Sequence, residues 1–347
     1  MIASRLGSLQ SSAALAVGLV LTGVSHSVAP SKPRNWMRGT WSIIMRTDPT
    51  RVRIGSAQIL DVVNGLIVTY DYDDHRVKAI SRSGSLVWET GSPGLQRGQF
   101  YNVSDIRHDA SNNIWIADPI PRRVTIISPA GAILRSYDNS PNWWRVVPRA
   151  DSQLWGLDPN QVTPAIYDTS GRVSSRPSFS SRLSGLELPS NNLTLTPGPR
   201  DSILVTYLWS DRFVLIGGDG KNPHEYRGIA EQEFPSVVRT PRMIAGKSVT
   251  TLQVDSSSQR VTRSASWDGP YIYILQYPKQ GDIDTSSTVD IYRSGTGAYV
   301  ASLALPSRAL AISVKSDEFT AIVNDPTPSL CIWKWKEGSK GTAKVTR

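Results

Sequence analysis

The chain has 347 residues, 39% of them hydrophobic, and a formal net charge of +9 carried mostly by arginine. That is enough apolar material for one large core or two modest ones. A single cysteine, Cys331, excludes an internal disulfide framework, and no run of five or more Lys/Arg argues for a nucleic-acid-binding tail.

The N-terminus reads as a targeting segment. Arg5 precedes the apolar run Ala13–Val24, and small residues follow at Ser25 and Ser27. This is the order of a secretory signal over residues 1–27, with an apolar run too short to span a bilayer comfortably. The mature chain is therefore expected to be exported, periplasmic or extracellular, with no transmembrane span after cleavage. Residues 28–40 are basic and Pro-rich and are expected to form an extended leader. Trp41–Thr47 reads as a strand with no hairpin partner nearby.

From there the chain is a series of short runs rich in Ile, Val, Trp and Tyr, bounded by Gly, Pro, Asn or Asp, with almost no helical periodicity. The clearest unit is Asp105–Tyr137: DIRHD, IWIAD, RRVTIIS and AILRSY, separated by turn residues. A lone four-stranded meander cannot bury both faces, so it needs copies to stack against. Copies are read at about 55–95, 100–138, 143–179, 191–228, 261–306 and 307–338, the last with only three strands. A glycine follows the third strand of each copy, at Gly84, Gly131, Gly171, Gly220, Gly295 or Gly297, and Gly338. Such a turn needs a residue at positive φ. The pattern predicts an all-β, six-bladed β-propeller of four-stranded antiparallel blades, with Trp41–Thr47 supplying the missing strand of the last blade and closing the ring. The basic tail 339–347 is expected to fray.

The second copy resembles the NHL repeat. Gly98-Gln-Phe100, Asp105-Ile106, Asn112-Asn-Ile-Trp-Ile-Ala-Asp118 and Arg122-Arg-Val-Thr-Ile126 follow its pattern of G-x-F, D-apolar, G-N-apolar-Y-V-A-D and an arginine-led strand. Asp268-Gly-Pro-Tyr-Ile-Tyr-Ile274 and Val289-Asp-Ile-Tyr292 resemble exported bacterial six-bladed propellers of this type. The match is looser over 55–95 and 261–335 and poor in the third and fourth copies. The resemblance implies a binding platform; a minority of related six-bladed folds are lyases or lactonases.

Catalytic chemistry is hard to assemble from the sequence. After export three histidines remain, His75, His108 and His224, placed in a loop, at the end of an innermost strand and in an outermost strand. They are not expected to converge on zinc, and here the chain departs from NHL-like amidating lyases, which need histidines around the channel. Asp71, Asp118 and Asp158 recur after second strands, with Asp325 nearly equivalent. A calcium ring is one reading and backbone-capping turn chemistry the better one. Cys331 is expected to be an inert core residue.

What remains is a surface. Strand 2–3 loops and blade-to-blade connections share one face of a propeller, and the two longest insertions, 230–260 and 278–288, fall there on neighbouring blades. Candidate binding residues are His75, Arg76, His108 (at the channel mouth), Arg122, Arg123, Trp143, Trp144, Arg145 and Arg212, with Trp143 exposed and Trp144 turned into its blade. The expected function is a non-enzymatic scaffold or accessory subunit binding a protein or envelope component, or an anionic surface, with no cofactor, metal or nucleic acid. The alternative is a calcium- or zinc-dependent lactonase or lyase at the channel mouth.

Overall fold

A computed structural model describes residues 32–138, 143–157, 163–168, 170–177, 193–231, 237–244, 247–254, 260–277, 287–325 and 327–338. The segment 1–27 read as a secretory signal, Asp158, most of the insertion 278–288 and the tail 339–347 lie outside the described residues.

The strands recur in fours. After β1 (Gly39–Arg46), blade one comprises β2 (Leu60–Val63), β3 (Leu66–Asp71), β4 (Arg76–Ser81) and β5 (Leu86–Thr90). Blade two comprises β6 (Asp105–His108), β7 (Ile114–Asp118), β8 (Arg123–Ile127) and β9 (Ile133–Tyr137). Blade three follows with β10 (Arg145–Pro148), β11 (Leu154–Leu157), β12 (Ala165–Tyr167) and β13 (Val173–Ser175). Blade four holds β14 (Leu193–Pro197), β15 (Ile203–Tyr207), β16 (Arg212–Ile216) and β17 (His224–Arg227). A hairpin, β18 (Val237–Ile244) and β19 (Lys247–Val254), precedes blade five, which is β20 (Thr262–Asp268), β21 (Tyr271–Gln276), β22 (Thr288–Arg293) and β23 (Tyr299–Ala304). Blade six is β24 (Ala309–Lys315), β25 (Glu318–Asn324) and β26 (Pro328–Glu337).

Each blade is an antiparallel meander in chain order, and blade six is completed as β1-β26-β25-β24. The first strands touch in the cycle β2, β6, β10, β14, β20, β24 and back to β2, so they surround the axis. This is the six-bladed propeller expected, closed by its N-terminal strand. Gly39 pairs with Glu337 and Arg46 with Cys331, and Met45 of β1 enters the apolar cluster between blades six and one with Ile54, Ile67, Ile322 and Ile332.

The core consists of wedges between neighbouring blades: second and third strands are buried on both faces, whereas the fourth strands β5, β9, β13 and β17 are largely exposed, and β23 is covered in its second half. Trp155 packs with Leu195 and Val205 between blades three and four, and Trp333 with Tyr273 and Phe319 between five and six. Cys331 is buried there as expected.

The turn glycines sit at φ 82° (Gly84), 87° (Gly131), 83° (Gly171), 74° (Gly220) and 64° (Gly297), left-handed values that a Cβ makes costly. In four of these blades the third-to-fourth register shifts by one beside the turn, the bulge that a three-residue hairpin leaves. Gly338 is different: the outer neighbour of β26 is β1, and the Gly338 N–H donates to the Arg38 carbonyl at 2.9 Å.

Two features were not foreseen. The described leader is docked on the edge of β23: the Met37 N–H donates to the Ser302 carbonyl at 3.0 Å and the Ser302 N–H to the Asn35 carbonyl at 2.9 Å. Beside them Arg34 pairs with the fully buried Asp290 at 3.0 Å. The insertion 230–260 contains the β18–β19 hairpin, a two-stranded sheet joined to no blade.

Candidate functional site

First strands begin at the connection from the preceding blade and end at their first hairpin, so the channel they line has two chemically distinct mouths. The upper mouth takes residues from strand starts, connections and strand 2–3 loops. It is a cavity of about 280 Å³ lined by Tyr72, Asn102, Trp144, Arg145, Arg263 and Tyr277 among others. The lower mouth, about 430 Å³, is lined by strand ends and first hairpins, including Asp61, Asn64, Arg107, His108, Asp268 and Lys315.

The upper mouth is built on arginine. Arg145 opens β10 and spans three blades, donating from Nε to the Leu193 carbonyl at 3.2 Å and from Nη1 to those of Ser104 and Trp144 at 2.5 and 2.8 Å. Arg263, second in β20, donates from Nε to Leu310 at 3.1 Å, with its guanidinium 4.9 Å from the Tyr277 ring centre. The Arg260 guanidinium lies 5.9 Å from the Tyr277 ring centre and 5.3 Å from that of Trp209. Burial pulls both Arg145 and Arg263 below the usual guanidinium range, and the charges of Arg308 and Arg260 lower Arg263 further. Tyr72, whose hydroxyl donates to the Val103 carbonyl at 2.6 Å, is pushed up to about 12 by burial.

Between the mouths Arg107 crosses from blade two to blade four, donating to the Leu195 carbonyl at 2.7 Å and pairing with Asp105 at 3.2 Å. Its Nε is buried without a partner. Asp105 accepts the N–H groups of Ile106 and Val146, both at 3.1 Å, and burial raises its pKa.

At the lower mouth His108 Nδ1 lies 2.7 Å from Asp61 Oδ2. Burial alone would push Asp61 up, but the bond to His108 and its charge prevail and the carboxyl is lowered. The same bond raises His108.

The residues singled out from the sequence do not form one patch. His108 lines the lower mouth, and Trp144 and Arg145 the upper. His75, at φ 58°, sits in a strand 2–3 loop, bonded to the Tyr70 hydroxyl at 2.8 Å and stacked on Tyr101. Arg76 pairs with Glu89 and Arg212 with Glu225 at 2.6 Å. Arg123 is buried, tied to Asp138 at 2.6 Å and to the Gln96 and Leu95 carbonyls, so it braces the connection into blade two. Arg122 is exposed at φ 56°.

The two tryptophans are reversed from the expectation. Trp143 is 3% exposed and packs edge-on against Tyr167 at 5.1 Å, whereas Trp144 is half-buried on the cavity wall. Both precede β10, which begins at Arg145, so alternation along that strand does not set their directions: Trp143 joins the apolar cluster between blades two and three, while the Trp144 N–H donates to the Leu157 carbonyl at 2.9 Å.

The recurring aspartates cap backbone. Asp118 accepts the N–H groups of Tyr101 at 2.7 Å and Asn102 at 3.1 Å, bracing the connection that enters its own blade. Asp71 accepts the Asp73 N–H at 2.9 Å and the Lys78 ammonium at 2.7 Å. His75, His108 and His224 stay apart, and among the described residues no three His, Cys, Asp or Glu side chains gather in a metal-binding group.

Arg107, Arg263 and Asp61 escaped the sequence reading. The available signal was their place in a first strand: a charge there sits at the axis of a propeller.

No family model matches this sequence, and no curated protein matches it. Solved structures do. Virginiamycin B lyase from Staphylococcus aureus is 10% identical with a TM-score of 0.52, over 85% of this chain and 99% of that one. A candidate exported protein from Bacteroides fragilis is 10% identical with a TM-score of 0.53, over 87% and 96%. A member of the DUF4221 family from Bacteroides vulgatus is 11% identical with a TM-score of 0.56, over 88% and 100%. At such identity the likeness is one of fold, the six-bladed propeller.

Proposed function

We propose that the chain is an exported, NHL-type propeller that acts as a binding module, engaging a protein or envelope component through its upper face. Export is supported by the order Arg5, apolar Ala13–Val24, Ser25 and Ser27 at the N-terminus, and by the likeness to the Bacteroides fragilis protein. Among the described residues no helix is long and apolar enough to cross a membrane.

The observation that carries the binding reading is the β18–β19 hairpin. A propeller needs no such element: each blade is complete without it, and it pairs with none of them. It springs from the connection between blades four and five, where connections reach the upper face, and Met243 on it is 69% exposed. A free hairpin presents backbone edges and apolar side chains together, the two means by which extended segments recruit partners. Replacing 237–254 by a short Gly-Ser linker is expected to abolish recovery of a specific partner from envelope extracts while thermal unfolding stays cooperative. Equal recovery by both forms would sink the reading.

A lyase or lactonase at the channel mouth is the second reading, favoured by His108 held on Asp61 beside the lower cavity. Among the described residues the donors for calcium or zinc are not assembled, so no step through a metal is derived. One calcium or zinc per purified chain would favour this reading over the first.

A further inference from the structure

The upper mouth concentrates positive charge that no ion pair among the described residues neutralises. Among the described residues Arg145, Arg260, Arg263 and Arg308 have no carboxylate within ion-pair distance, although ordinary surface arginines of this chain do, as Arg82 with Glu318 and Arg97 with Asp138 show. The nearest buried acid, Asp105, is already engaged by two backbone N–H groups and Arg107.

Tying strands together accounts for part of this. Arg145 uses Nε and Nη1 on carbonyls of three blades, and among the described residues Nη2 has no acceptor. Arg263 uses only Nε, and among the described residues its two terminal nitrogens have none. A guanidinium presents its donors as a planar fork that matches a carboxylate or phosphate. Arg145 and Arg263 are half-buried on the cavity wall, with the exposed Arg260 and Arg308 nearby, and partly desolvated like charges are costly unless a counter-charge joins them.

We propose that the upper mouth of the channel is a binding site for a small organic oxyanion, a carboxylate or phosphate gripped by Arg263 and Arg145. The cavity of about 280 Å³ is larger than a bare oxyanion requires, and Tyr72, Trp144 and Tyr277 wall it with aromatic surface. The anionic head therefore sits on the arginines and a flat apolar body lies against the rings. Arg260 and Arg308 draw such ligands toward the opening. This goes beyond partner binding and does not depend on the hairpin.

The test is calorimetric titration of the full chain with phenyl phosphate, benzoate and inorganic phosphate at matched ionic strength. Phenyl phosphate and benzoate are expected to bind saturably, one per chain, and inorganic phosphate more weakly. Arg263→Gln should weaken phenyl phosphate roughly tenfold or more, the loss expected of one charge-assisted fork. Arg263→Lys, which keeps the charge and loses the fork, should fall between. Lys315→Gln at the lower mouth should change nothing. Absence of saturable binding, or binding that Arg263→Gln leaves intact, overturns the proposal. Inorganic phosphate binding as tightly as phenyl phosphate overturns the organic-ligand part of it. Should Arg263→Gln not fold, Trp144→Ala probes the aromatic wall instead: phenyl phosphate is expected to bind it more weakly, and unchanged binding overturns the proposal.

Discussion

The two ends of the channel handle charge in opposite ways. At the lower mouth His108 is held by Asp61, Arg82 by Glu318, and Asp268 accepts the Ser316 N–H at 2.7 Å. At the upper mouth Arg145 and Arg263 line the cavity, the exposed Arg260 and Arg308 lie close enough for their charges to lower Arg263, and among the described residues none of the four has an acid within ion-pair distance. Both ends are made from the same first strands, so blade geometry does not dictate the difference. A paired charge is explained by the fold; an unpaired one in a concave, aromatic-walled site asks for a ligand.

The contrast breaks most visibly where pairing is deepest. Lys78 is 4% exposed and bonds Asp71, Asp74 and the Arg53 carbonyl at 2.7, 2.6 and 2.9 Å. Lys78→Met leaves the fully buried Asp71 carboxylate without its cation and should cost about 3–5 kcal/mol in urea unfolding. A loss below about 1 kcal/mol, the range of surface pairs, would show that pairing is not what holds this frame.

The lower mouth gives a smaller, pH-dependent effect. His108 is raised from its ordinary 6.5, so its contribution is full below that value and fades as pH climbs through the folded pKa. Asp61 is lowered from 3.8, so its contribution is full above that value and fades as pH falls through the depressed pKa. The pair therefore stabilises most between the two ordinary values. The stability difference between the native chain and His108→Gln should be largest near about pH 5 and shrink toward about pH 9. A difference that stays flat with pH would remove the ion pair from the account.

Much of the frame was legible because its signals are local. A turn needing positive φ demands glycine wherever it recurs, and five of the six expected turns use one that way. Gly338 shows the limit: the same dipeptide pattern stands where the chain leaves the blade, and only the closure by β1 reveals it. The site was less legible because it depends on contacts between blades. Trp143 and Trp144 exchange roles because both lie in the connection ahead of β10, where packing between blades two and three, not strand alternation, sets their directions. Arg107 meets Arg145 across neighbouring blades, and Arg263 joins it only through a ring closed across more than a hundred residues. The β18–β19 hairpin was visible as excess length, not as a strand pair.

The smallest effect bears most directly on the upper mouth. If Arg263 were a structural tie, losing its bond to Leu310 would cost about 1 kcal/mol, as for other intramolecular hydrogen bonds. If it is held in place for a ligand, removing it also relieves repulsion from Arg260 and Arg308, which offsets that loss. Arg263→Gln should therefore leave the unfolding midpoint within about 0.5 kcal/mol of the native chain at low salt. Raising the salt should stabilise the native chain more than the variant, because ions screen a repulsion that the variant has partly lost. A midpoint that drops by more than about 1.5 kcal/mol at every ionic strength would place Arg263 with Lys78, as part of the frame. The two mouths would then differ in composition but not in kind.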